Sequence, residues 1–221
     1  MAAGAIISQM SEDRFRKRGL AAPVYLPSLL ITAAEGALLP ILPVTAVGYG
    51  YSLAEAAVVT TVLMVGTMVF EIPASWITTK LGERRSMLLG TALGALSTLL
   101  AFLHLGYLSL IVAALGFGAA LSLFGLARHS LLAELVPPEH RPKSMSLLGG
   151  MFRGGMAIGP VIGSAFIALY GVEFGYLAAG VMCLAAGAAV FSVPTTKLST
   201  SPSGQAGNVW AVAKREAPKL A

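Results

Sequence analysis

Residues 86–127 read SMLLGTALGALSTLLAFLHLGYLSLIVAALGFGAALSLFGLA and contain no Asp, Glu, Lys or Arg. Arg84 and Arg85 stand just before this stretch and Arg128 just after it. An α-helix rises about 1.5 Å per residue, and a bilayer's hydrocarbon core of about 30 Å takes roughly 20 apolar residues. The stretch therefore holds two spans back to back, turning near His104 to Tyr107. It reads as a membrane hairpin with both ends on the same side.

The same unit recurs on either side of it. No Lys or Arg occurs from residue 19 to 79, after which come Lys80, Arg84 and Arg85; none occurs from 154 to 196, after Arg141, Lys143 and Arg153. Three hairpins predict helices near 24–46, 52–79, 86–104, 107–128, 144–169 and 174–193. The expected fold is all-α, a polytopic membrane bundle of six transmembrane helices. All fifteen Lys and Arg then fall on one side or in the adjoining halves of helices. By the positive-inside rule that side is the cytoplasm, which places both termini inside and the chain in the cell membrane. Tyr49, Tyr51, Tyr107, Tyr170 and Tyr176 gather at the outer hairpins, and Tyr25 and Trp76 lie near the inner boundary, as expected of an interfacial belt.

Composition agrees. Of 221 residues 56% are hydrophobic and only 11% charged, against about 25% charged in a soluble domain, and the mean hydropathy is +0.79. The net charge of +5 forms no basic stripe for nucleic acid and reads as topology signal and contact with anionic lipid heads. Cys183 is the single cysteine, so there is no intrachain disulfide or cysteine metal cluster. His104, His129 and His140 are scattered. No His-Glu-x-x-His pair, nucleophile elbow or phosphate loop occurs, so neither a metal site, a cofactor nor an enzyme is expected. MAAGAIISQM is too short for a signal peptide and precedes the basic cluster Arg14, Arg16, Lys17 and Arg18, itself the inner flank of the first span. The expected domains are a cytoplasmic segment 1–23, a six-helix membrane domain 24–193, and a disordered cytoplasmic tail 194–221, rich in Ser, Gly, Pro and charge. Within that tail NVWAVAKREA has a weakly amphipathic pattern.

Two motifs give the bundle a family. The loop SWITTKLGERR, residues 75–85, sets Lys80, Gly82, Arg84 and Arg85 in a short basic turn between the second and third helices. GMAIGPVIG, residues 155–163, repeats Gly155, Gly159 and Gly163 every four residues on one helix face, where small residues let helices approach closely, with Pro160 among them. Both resemble major facilitator superfamily transporters: the first the loop between helices two and three, the second the helix-five motif prominent in that family's antiporters, with Ser164 in the place of its last glycine. Residues 134–143 resemble the loop joining helices four and five, with Glu134 and Arg141 at positions that help latch its conformational states. The chain departs from the pattern in three loop places, Ser75 for glycine, Thr79 for aspartate and Glu83 for a basic residue. It also lacks the helix-four arginine of the drug:proton antiporters, since Val112 or Ala114 occupies that region.

The resemblance covers residues 24–193. It implies the amino-terminal six-helix half of a twelve-helix transporter of the drug-efflux-like branch, with a 3+3 inverted repeat. The implied function is secondary active movement of a small solute by alternating access, with proton-coupled efflux as one form. The implied partners are a small-molecule substrate, protons, membrane lipids, and a second six-helix half, either another copy or a separate chain. The alternative is a six-helix membrane module that does not transport, or an inactive fragment of a longer transporter.

Charges at membrane depth are the candidate coupling residues. Glu35 lies near the middle of the first helix, where an acid costs on the order of 3 kcal/mol and faces a cavity or a partner. An apolar surround disfavours its ionised form, which suits it to carry a proton or meet a cationic substrate; the alternative is a permanently protonated Glu35 bonded to backbone near a break at Pro40 and Pro43. Glu71 and Arg153 each lie about 13–15 Å from the inner boundary by helical rise. They are candidates for substrate or proton coupling, or for a salt bridge with one another.

Overall fold

The computed structural model describes residues 24–136 and 138–192. The basic cluster at Arg14 to Arg18, the segment 1–23 and the tail from residue 193 lie outside these described residues. Seven α-helices follow one another: α1 Leu26–Gly48, α2 Leu53–Val69, α3 Glu71–Leu81, α4 Glu83–Phe102, α5 Tyr107–Leu135, α6 Arg141–Tyr170 and α7 Val172–Phe191, with a 3-10 turn Pro138–His140 before α6. Five regions are long and apolar enough to cross a membrane singly, and α2 with α3 make a sixth, bent by 46°. The expected six-span, all-α bundle is therefore present.

Three details of the helices differ from the sequence reading. The second span is broken at Phe70, because Pro73 has no N–H to give the Val69 carbonyl one turn earlier. By contrast α1 runs unbroken through Pro40 and Pro43, and α6 through Pro160, so the break expected beside Glu35 does not form. The fourth span also extends to Leu135 rather than ending near 128.

The packing has an internal symmetry. α1 packs on α6 and α7; α5 packs on α2 and α4; α4 packs on α7. Matching the first three spans to the last three in order turns α1 into α5, the α2–α3 span into α6, and α4 into α7. Each contact of α1 then maps onto a contact of α5, as a 3+3 inverted repeat requires. The two mapped crossings are both glycine seams. On the first, a Cβ at Gly159 would overlap the Ala33 carbonyl, and one at Gly36 would lie 2.9 Å from the Met156 carbonyl oxygen. On the second, a Cβ at Gly118 would overlap the Leu63 carbonyl, and one at Gly66 would lie 2.8 Å from the Leu115 carbonyl oxygen.

At the tyrosine end Tyr51 and Tyr107 stack with centroids 4.2 Å apart, and the Tyr107 hydroxyl donates to the Glu55 carbonyl at 2.9 Å. Tyr176 departs from the interfacial belt: it is fully buried, and its hydroxyl donates to Thr45 Oγ1 at 2.7 Å. This second-turn tyrosine of α7 points into the bundle, where α1 offers it a hydroxyl partner.

Candidate functional site

α1 and α5 each pack on several other helices of the bundle, and α2 meets α5 closely at Gly66 and Gly118. Towards the basic ends of the helices the second span bends away at Phe70, leaving a cavity of about 330 Å³. Its walls carry Thr32 and Glu35 from α1, Glu71 from the start of α3, Ser122, Arg128 and His129 from α5, and Phe152 from α6. Glu35 lies about 13 Å along α1, and Arg128 about 10 Å before the end of α5. Both are therefore at membrane depth, in the half of the bundle nearer Lys80, Arg84, Arg85 and Arg141.

The chemistry is concentrated on Arg128. It is only 9% exposed; its Nε is buried without a partner, and the guanidinium lies 6.0 Å from the Phe124 ring centroid. Glu35 is half-buried on the facing helix and interacts with it through charge. Ser122 Oγ is likewise buried and unpartnered. His129 Nδ1 lies 2.7 Å from the Gly125 carbonyl oxygen, so it donates and leaves Nε2 free. Among the described residues no ion pair closes across this space. One buried cation, two acids and an apolar remainder thus line this cavity.

The candidates from the sequence fall in different places. Glu35 and Glu71 line the cavity, but Arg153 does not, and among the described residues no Glu71–Arg153 ion pair forms. Arg153 lies about 200° around α6 from Gly155, and Gly155 faces α1, so Arg153 is exposed on the opposite side. Gly155, Gly159 and Gly163 are all buried on the α1 seam, and the Pro160 ring lies against Gly36.

The loop motif residues meet helix ends instead of one another. Gly82 turns with φ +81°, a conformation that disfavours any side chain. Lys80 Nζ sits 3.8 Å above the Trp76 ring, and Arg85 is exposed. Arg84 Nη2 donates to the Phe191 carbonyl at 2.7 Å. Arg141 donates from Nη2 to the Ala133 carbonyl at 2.7 Å and from Nε to the Val136 carbonyl at 3.1 Å, while Glu134 stays exposed. These guanidinium groups satisfy carbonyls that the last turns of α7 and α5 leave open. Glu83, in the place of a basic residue, accepts from Ser130 Oγ at 3.1 Å.

Sequence reading missed Arg128. It closed the charge-free stretch and so read as a topology marker. The sign available was the apolar run beyond it, Leu131, Leu132 and Leu135, which carries the helix another two turns and leaves Arg128 inside the span.

Comparison with known proteins agrees with this architecture. Among curated proteins no match is found. The sequence profile of the Major Facilitator Superfamily matches residues 24–219, which takes in every membrane helix, both glycine seams and the cavity. The chain is a multi-pass membrane protein that belongs to the Major Facilitator Superfamily.

Proposed function

We propose that the chain is a proton-coupled secondary transporter, or the six-helix half of one, which moves a small solute across the cell membrane by alternating access. The observation that carries this reading is the cavity between α1, α3 and α5, lined at membrane depth by Glu35 and by Arg128. Among the described residues no ion pair joins the two, and the Arg128 Nε is buried there without a partner. Ionisable groups are costly there and mark solute or ion pathways. Glu35 is the proton site, Arg128 holds or releases its charge, and Glu71 stands where the second span bends. The basic end faces the cytoplasm, following the distribution of Lys and Arg. A second six-helix half, another copy or a separate chain, completes the solute path. Efflux driven by protons requires solute and proton to displace one another at Glu35, as a cation would.

The test is flux in proteoliposomes under an imposed pH gradient, with proton movement read by an internal pH dye across a panel of small acids, amines and neutral solutes. Wild-type protein is expected to couple proton movement to one class, and Glu35→Gln to insert normally but lose that coupling. Gradient-driven accumulation by Glu35→Gln equal to wild type would sink the assignment of Glu35.

A further inference from the structure

We propose that the Arg128 end of the cavity is an anion site, taking the carboxylate of a small amphipathic molecule whose binding requires a proton on Glu35. That such a ligand is carried across the membrane rests on the transporter reading above; that it binds does not.

The unmet demand in the cavity is for a negatively charged group that accepts hydrogen bonds. Arg128 is more than nine-tenths buried and its Nε–H has no partner; Ser122, only 4% exposed, has a hydroxyl in the same state. Both line the cavity. A guanidinium presents a planar fork of donors that matches a carboxylate with two parallel hydrogen bonds. Glu71 also lines the cavity but is exposed, so it is not a buried group left without a partner as Arg128 is. The remaining wall, with Ile31, Leu121, Phe124 and Phe152, is apolar, and about 330 Å³ is the size of a pocket for a compact aromatic or aliphatic body.

Charge then sets the coupling. With Glu35 ionised, it is the counter-charge of Arg128, and an incoming carboxylate adds a second negative charge to a cavity that also faces Glu71. With Glu35 protonated, the carboxylate takes over as counter-charge. One proton from water therefore binds a Glu35 oxygen for each anion bound, and no other bond forms or breaks. Of the other charged or titratable groups on the elements packed against α1, Glu55 of α2, Tyr107 and Glu134 of α5, Tyr170 of α6, and Tyr176 and Cys183 of α7 do not line the cavity. Glu71 and His129 share the cavity wall, whereas Arg141, Lys143 and Arg153 of α6 lie outside it. Glu173 is at the far, tyrosine end of α7. Proton and solute thus travel together, unlike the exchange that efflux of a cation requires.

The experiment is calorimetric titration of the purified full-length chain in nanodiscs with 1-naphthoate, its neutral primary amide, and 1-naphthylmethylammonium, across about pH 5 to 8. Naphthoate is expected to bind at least tenfold more tightly than the amide. Its affinity is expected to fall by up to about tenfold per pH unit above the titration of Glu35. Glu35→Gln, a mimic of the protonated acid, should bind naphthoate at alkaline pH as wild type does at acid pH, with the pH dependence gone. Arg128→Gln should lose the preference for naphthoate over the amide. Should Arg128→Gln fail to fold, Glu35→Gln decides alone. Preference for the ammonium, equal affinity for acid and amide, or an unchanged pH dependence in Glu35→Gln overturns the proposal. Binding as expected without flux in proteoliposomes sinks the reading in which copies of this chain alone form the transporter and leaves the site standing. Coupled flux of another solute without naphthoate binding does the reverse.

Discussion

Two faces of α1 follow opposite rules. The face towards α6 is a dry seam where Ala33, Gly36 and Ala37 meet Gly155, Gly159 and Gly163 so closely that no Cβ fits at Gly155 or Gly159 without displacing backbone. The face towards α5 and α3 is a cavity where Glu35 and Arg128 face each other across unfilled space. The seam gains its stability from close contact and tolerates no added atoms. The cavity leaves charges without partners, at a cost that the seams must offset. Close packing and unpaired charge thus lie on opposite faces of one helix: α1 is held by one face while the other borders the cavity.

The hardest break of this contrast is at the seam. Gly159→Leu would force α1 off α6 along much of their contact, and overpacking of this size is expected to cost more than about 3 kcal/mol. The expected result is loss of monodisperse protein in size-exclusion chromatography after extraction. A well-behaved variant would show that the α1–α6 seam is adjustable and remove the rigid side of the comparison.

Single methyl groups give a finer reading. Gly159→Ala and Gly118→Ala place one carbon against backbone on the two crossings that the inverted repeat relates. Each is expected to lower unfolding free energy by about 1–3 kcal/mol in denaturant titration, and by similar amounts. A large effect at Gly159 with none at Gly118 would mean that the mapped crossings are not mechanically equivalent.

These two glycines also mark how far the sequence was legible. The α6 seam was visible because all its small residues lie on one helix at a four-residue spacing, so a single stretch reports the contact. The α2–α5 seam was not, because it takes one glycine from each helix, Gly66 and Gly118, and neither forms a repeat. Spans were legible throughout, since charge-free length is a local property. The break at Phe70 had its cause in Pro73, yet Pro40, Pro43 and Pro160 sit in unbroken helices, so proline alone does not predict a kink. The cavity was half legible. Glu35 stood out as an acid amid apolar residues, and Glu71 was selected by depth. Arg128 was hidden because a basic residue at a span's end and one inside it look the same until the helix end is known. Arg153 shows the converse: depth was read correctly, but direction around the helix depends on which face packs, and the glycine face points it away.

The smallest expected effect on stability belongs to Glu35→Gln, and it separates the two faces most sharply. Glu35 makes no hydrogen bond and no ion pair among the described residues, so the substitution removes a desolvated charge without breaking a contact. Its charge does lie near that of Arg128, and losing it leaves that cation less well compensated. These opposing terms are expected to nearly cancel, leaving a change in unfolding free energy within about 1 kcal/mol of zero, well below either seam variant. The same substitution should nevertheless remove proton coupling in flux. If Glu35→Gln instead unfolds the protein as readily as Gly159→Ala, the acid is holding Arg128 in place for the fold's sake. The cavity would then belong with the seam as structure, and the opposition between the two faces of α1 would fail.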